Sequence, residues 1–302
     1  MATYKGIDVS KHQGKIDWQK AKDAGVQFAM IRAGYGRYAK QKDKCFEFNY
    51  AGAKAAGIPV GAYHYSYAKT VEQAKAEAKT FLAWIKGKTF EYPVGFDIEE
   101  NDQAELGKQA VSDIIRAFCE AVEAAGYYVV VYANKSWFNN YIDDDCKAKY
   151  DTWLAEWRDD GKPTYRGNVG IWQYTSDGSV SGINGRVDMN YAYKDYPAIM
   201  KANGLNGLKK TSSAGGSASN GTASTGSTAK KFAAKTKVTL NKTPLYASAT
   251  AKSPAVYKTG TFYIYDGKEI SGRYRITSSP DRAGKTPVGE NVTGYVNKTD
   301  LK

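Results

Sequence analysis

Eight short apolar runs, spaced by stretches of helical periodicity, limit what this chain can fold into more than any other feature. They lie at 4–9, 28–33, 58–65, 93–98, 127–132, 152–157, 169–174 and, more briefly, 186–189. Between the fourth and fifth runs, Val111, Ile114, Ile115, Phe118, Cys119 and Val122 recur at the i, i+3, i+4, i+7 spacing of a helix lying on a sheet, and Gly126 stops the pattern. Similar stripes over 46–56 and 71–85 end at Gly57 and Gly87. Runs that alternate with helices across short crossings predict a parallel α/β sheet closed as a TIM-like β/α barrel. The connections after Tyr174 are too short for a full helix, so the expected barrel is irregular. In such a fold the C-terminal ends of the strands build the site.

At 206–230 the composition changes to Gly, Ser, Thr and Ala with no large apolar residue after Leu208, which is the composition of a flexible linker. It divides a barrel domain over 1–205 from a smaller part over 231–302. Residues 1–200 carry 26 basic and 26 acidic side chains, whereas 201–302 carry 17 against 5, so the whole net charge of +12 belongs to the C-terminal part. That part alternates with period two at 237–240, 262–265, 273–276 and 294–296. Turn signals at Asp266-Gly267 and Ser279-Pro280-Asp281 lie between these runs, predicting a small all-β unit.

Asp97 and Glu99 close the fourth run. On a strand, residues i and i+2 point to one face about 6 to 7 Å apart. Alone, such a pair reads as a solvated turn. Asp8 stands at the end of the first run, however, and Asp188 at the end of the last; if the sheet closes, all four acids share one rim. Crowded carboxyls cannot all ionise freely, so one can remain a proton donor while another stays charged. Tyr63, Tyr65, Tyr132, Trp157, Trp172 and Tyr174 gather at the same predicted rim, half of them expected as core. Flat aromatic faces and carboxylates together suit a saccharide.

Other chemistries find little support. His12 and His64 have no second histidine at ligand spacing, and His64 reads as structural. There is no Gly-x-Ser-x-Gly elbow before the linker and no phosphate-binding loop. Cys45, Cys119 and Cys146 fit neither a disulfide framework nor a zinc site and read as reduced, packed thiols. We expect no metal, no cofactor and no nucleic-acid partner. No apolar run is long enough to insert in a membrane, and the N-terminus lacks a secretion signal, so the expected place of synthesis is the cytoplasm.

Six motifs, Gly6-Ile-Asp-Val-Ser10, Ala29-Met-Ile-Arg-Ala-Gly34, Gly61-Ala-Tyr-His-Tyr65, Asp97-Ile-Glu99, Ile171-Trp-Gln-Tyr-Thr175 and Val187-Asp-Met-Asn190, stand in an order that resembles glycoside hydrolase family 25, the Chalaropsis-type lysozymes or N-acetylmuramidases. The resemblance covers about residues 3 to 200. It implies cleavage of the β-1,4 bond between N-acetylmuramic acid and N-acetylglucosamine in Gram-positive peptidoglycan. Glu99 would be the general acid and base, Asp97 would orient the acetamido group or stabilise positive charge, and Asp8 and Asp188 would shape the pocket and tune Glu99. By the same analogy Tyr63, Tyr132 and Trp157 line the sugar subsites. The C-terminal part resembles, more loosely, the SH3-like wall-binding domains of phage lysins, which implies anionic wall polymers as partners of 231–302. The whole chain then reads as a phage or prophage endolysin released from the cytoplasm to the wall. An autolysin of the same chemistry and a non-catalytic wall binder are the alternatives.

Overall fold

Val94, Phe96 and Ile98 point outward from the fourth strand into a layer of helices, and this leaves Gly95, Asp97 and Glu99 on the inner side. The same alternation repeats around a closed barrel of eight strands: β1 (Tyr4–Val9), β2 (Phe28–Tyr35), β3 (Val60–Tyr65), β4 (Val94–Asp97), β5 (Val129–Asn134), β6 (Asp151–Ala155), β7 (Val169–Gly178) and β8 (Val187–Ala192). This computed structural model describes residues 3–158, 160–210, 232–246, 248, 256–270, 272–285 and 291–301. The linker expected over 206–230 lies outside the described residues from 211 onward. Two compact units divide the chain, Met1–Ala214 and Gly215–Lys302.

In the first unit, α1 (Trp18–Asp23), α2 (Phe46–Ala55) and α3 (Val71–Ile85) each follow one of the first three strands. The short α4 (Asn101–Ala104) and long α5 (Gly107–Ala124) follow β4, and α6 (Lys135–Asn140) and α7 (Asp144–Lys149) follow β5. Thr70 caps α3 by accepting from Gln73 N–H, and Asn134 caps α6 by accepting from Trp137 N–H. On α5 the predicted stripe is the buried face: Val111, Ile114, Ile115, Phe118, Cys119 and Val122 all lie inside. Phe118 stacks on Phe96 with ring centroids 4.2 Å apart, and burying one such ring contributes about 1.5–3 kcal/mol. That contact fixes which face of β4 turns inward. The cysteines are free thiols, with Cys119 and Cys146 buried.

β1 to β7 pair in parallel, but β8 runs antiparallel to both β7 and β1. The expectation of an all-parallel sheet is corrected here, and the cause is the short connection between β7 and β8. No helix lies among its described residues, so the chain turns straight back as a hairpin. Asp188 therefore sits near the start of its strand, not at the C-terminal end expected from sequence. Reversal brings it to the same mouth as the other acids.

Inside the barrel, small and large side chains interleave. A Cβ on Gly6 would stand 2.4 Å from the Phe28 ring, and one on Gly95 would stand 3.1 Å from both Trp153 and Tyr63. Phe28, Met30, Tyr63, Val130, Tyr132, Trp153 and Ile171 fill the interior. The end away from the acids is plugged by α8 (Tyr196–Asn203), whose Tyr196 and Met200 join this inner cluster. Tyr196 Oη donates to Asp151 Oδ2 at the start of β6 over 2.7 Å.

The second unit has a four-stranded antiparallel sheet in the order β12-β11-β10-β9, formed by β9 (Lys237–Leu245), β10 (Val256–Ile270), β11 (Arg273–Thr277) and β12 (Gly294–Asn297). Val238, Leu240, Phe262, Ile264, Tyr274, Ile276 and Val296 form one apolar core. Asp266-Gly267, expected as a turn between strands, falls within β10. Its pairing with β11 shifts register between Ile264 and Glu269, and Gly267 takes φ +71°, so the signal marks a bulge.

Candidate active site

The mouth of the barrel is floored by aromatics and walled by acids. Tyr63 on β3 and Tyr132 on β5 meet the Trp153 indole of β6 edge-on, with centroids 5.5 and 4.8 Å away, and each tyrosine is only 8% exposed. Trp153 Nε1 donates to Asn190 Oδ1 over 2.8 Å, which fixes that amide so that Asn190 Nδ2 donates to Asp8 Oδ2 at 2.8 Å. A second donor reaches the same oxygen from β7, Gln173 Nε2 at 2.9 Å. Gln173 Oε1 meanwhile accepts from Tyr132 Oη at 3.0 Å and from Trp157 Nε1 at 3.1 Å. One amide thus joins an acid, a floor tyrosine and a tryptophan at the rim.

The four acids differ in what surrounds them. Asp8 is buried and pushed above the usual carboxylate range by that burial, while Asn190, Gln173 and a hydrogen bond with Asp188 pull it back down. Asp188, half-buried, is pushed up to about 8 by burial, by the charge of Asp8 and by the hydrogen bond to it, so this pair holds a proton at neutral pH. Asp97 is buried, and its Oδ1 has no hydrogen-bond partner among the described residues. Burial, then the charges of Glu99 and Asp8, hold it well above the usual range. Glu99, two residues past the end of β4, is pushed up to about 7 by burial and then by Asp8 and Glu100. A carboxyl at that value is a proton donor at neutral pH that can also give its proton up.

The structure brings Asp8, Asp97, Glu99 and Asp188 together at one mouth, each interacting with at least one other through its charge or a hydrogen bond. The family resemblance makes Glu99 the proton donor and Asp97 its charged partner; here burial and the neighbouring carboxylates raise both. Asp8, with two amide donors, has the surroundings of an anion. Glu100 accepts from Tyr65 Oη at 2.7 Å, tying β3 to the loop that carries Glu99.

Trp157, beyond β6, is 63% exposed and presents its ring at the rim. It also edges a cleft of roughly 560 Å³ lined by Trp172, Tyr174 and Tyr191 on the outer side of β7 and β8. Trp172 therefore belongs to the outer layer. His64 faces outward too, stacked on Trp84, with its Nε2 3.4 Å from Glu77 Oε2. Gln173, Asn190 and Trp153 escape a sequence reading that looks for ionisable groups. The signal for Asn190 was present, since it lies two residues from Asp188 and must share its face.

A β/α barrel with a cluster of raised carboxyls above an aromatic floor has the equipment of the acid-catalysed glycoside hydrolases. The profile of glycosyl hydrolases family 25 matches residues 7–183, and the chain belongs to that family. It is 32% identical over 202 residues to Lysozyme M1 of Streptomyces globisporus, covering 61% of this chain and 66% of that protein. It is 30% identical over 188 residues to the autolytic lysozyme of Clostridium acetobutylicum, covering 62% of this chain and 55% of that protein. This chain thus spans less than two thirds of either relative's length. Among solved structures, the CTP1L endolysin superposes with a TM-score of 0.57 at 28% identity, over 66% of this chain and 70% of that one. The bacterial lysozyme from Streptomyces coelicolor gives 0.55 at 31% identity, over 64% and 94%.

Proposed function

We propose that the protein is a peptidoglycan hydrolase, an N-acetylmuramidase that cuts the β-1,4 bond between N-acetylmuramic acid and N-acetylglucosamine. The observation that carries this reading is Glu99, a carboxyl raised to about 7 within an acid cluster, inside the stretch matched by family 25. Glu99 gives its proton to the glycosidic oxygen as the bond to the anomeric carbon breaks. As a carboxylate it then takes a proton from the water that adds to that carbon. Asp8, held by Asn190 and Gln173, supplies negative charge facing the oxocarbenium-like transition state, and Asp188 keeps the proton of that pair. Asp97 Oδ1 is an acceptor that a substrate acetamido N–H can satisfy; that donor, with the positive charge developing beside it, draws Asp97 into its charged form. Tyr63 and Tyr132 form the floor under the sugar, and Trp157 stacks on a neighbouring residue of the glycan.

On this reading residues 1–205 are the catalytic domain, 206–230 a linker and 231–302 an SH3-like wall-binding domain. The surplus of 17 basic over 5 acidic residues in 201–302 suits anionic Gram-positive wall polymers. The chain as a whole is a Chalaropsis-type lysozyme serving as a phage or prophage endolysin, made in the cytoplasm and acting on the wall after release. Mass analysis of digested walls tests the chemistry. Fragments with reducing N-acetylmuramic acid ends support it, whereas new free amino groups without reducing ends identify a peptidase or amidase and overturn it.

A further inference from the structure

A second cleft, of roughly 340 Å³, opens between the loops that follow β2 and β3, on the same end of the barrel as the acids. Its chemistry is the reverse of theirs. Arg37 and Lys69 line it together with two exposed tyrosines, Tyr38 and Tyr67, and the side chains of Gln41 and Gln73. Arg37 has no acidic partner among the described residues; its guanidinium lies 5.2 Å from the Tyr38 ring and its Nε donates to Tyr38 Oη. Among the described residues Lys69 pairs only with Asp102, which is 65% exposed, and such surface pairs hold weakly. Gln41 and Gln73 each give their amide oxygen to a backbone N–H, which leaves their amide N–H groups as donors.

A pair of tyrosines links the cleft to the loop that carries Glu99. The Tyr67 ring lies 5.2 Å from that of Tyr65, and Tyr65 donates to Glu100, next in sequence to Glu99. We propose that this cleft binds the carboxylates of the peptide stem carried by the muramic acid lactyl group, with Arg37 as the principal anion partner. The inference rests on the muramidase reading. A sugar bound over four acids brings its own acidic peptide with it, and those carboxylates are repelled from the mouth. A guanidinium free of acids, one tyrosine pair away, is where they are satisfied, with the cleft amides as further donors.

The test compares the full chain with Arg37→Ala and Arg37→Glu on two soluble glycan oligomers, one bearing peptide stems and one stripped of them by an amidase, reading reducing ends. Arg37→Ala is expected to lower the ratio of kcat/KM between the stem-bearing and stripped substrates about tenfold, through KM, and Arg37→Glu further. An unchanged ratio overturns the proposal. On whole walls, loss of the Arg37→Ala defect after hydrofluoric acid removes the phosphodiester polymers would assign the cleft to phosphate and overturn it as well. If the unmutated protein releases reducing ends from neither oligomer, the muramidase reading fails first and takes this inference with it.

Discussion

Asp8 and Asp188 stand directly opposite one another across the antiparallel pairing of β1 and β8. Like charges in that position repel, so the pair is stable with one proton between them, and burial together with the charge of Asp8 raises the Asp188 carboxyl to about 8. The charge left on Asp8 is in turn the first neighbour, after burial, that raises Glu99.

Replacing Asp8 and Asp188 together by Asn, so that Asp188 cannot ionise in place of Asp8, should therefore move the alkaline limb of activity. Glu99 must be protonated to act as an acid, so the wild-type kcat/KM on soluble glycan should fall as pH rises through about 7. Removing the negative charge of Asp8 stabilises ionised Glu99, lowers its pKa and shifts the limb to more acid pH. A limb that stays in place or moves upward in the pH profile would contradict the wiring described.

Glu99→Gln should cost about 10²–10⁴ in kcat while making the fold more stable. Its carboxyl is raised from 4.5 to about 7 on folding, so wild-type stability is fully present below about 4.5 and is lost as pH rises through 7. The variant escapes that loss. In thermal scans its advantage should be absent at pH 4, grow between 4.5 and 7 and level off above, reaching about 1–3 kcal/mol. A variant less stable than wild type at pH 8 would count against the strained carboxyl.

Gln173→Leu removes one of the two amide donors to Asp8 and the acceptor shared by Tyr132 and Trp157. Orphaning the buried groups should destabilise the barrel by about 1–3 kcal/mol. The activity loss should exceed what unfolding explains and appear in kcat, because the charge facing the reacting carbon is displaced. Gln173→Glu, which keeps the acceptor but adds a fifth carboxylate, should not rescue it.

Trp157→Ala should leave the denaturant midpoint nearly unchanged, since the ring is 63% exposed. If the ring is a sugar platform, KM should rise about three- to tenfold with kcat largely retained, and Trp157→Phe should recover much of the loss. Equal kinetics for the alanine variant and the wild type would remove Trp157 from the substrate path.

Gly6→Ala tests the interior. The new methyl would meet the Phe28 ring, which is pinned by stacking on Tyr92 at 4.3 Å, so overpacking should cost about 1–3 kcal/mol in urea unfolding. A neutral result would mean the ring yields more readily than its stacking suggests.

The barrel is legible because its strands are short, apolar and separated by clear helical stripes; the stripe over 71–85 is the helix Val71–Ile85. The reversal of β8 was not legible in direction, because a period of two reads the same both ways along a strand. Asp8, Asp97, Glu99 and Asp188 stood out as acids near strand ends. Gln173 and Asn190 did not, because a neutral amide carries no signal until its partners are known, and theirs lie as far away as 165 and 182 residues along the chain. The upward shift of Asp97 was equally hidden, since it comes from burial and from the charges of Glu99 and Asp8 once the mouth has folded.

The hairpin between β7 and β8 also changes the shape of the mouth. An all-parallel eight-stranded barrel surrounds its mouth with a separate loop after every strand, which makes a well. Here the exit of β7 and the entry of β8 share a single loop, so the surrounding wall has one fewer segment. A well accepts chain ends; a trough open at its side accepts a polymer lying across it. On the muramidase reading, the missing segment leaves a side of the mouth across which a long glycan can lie.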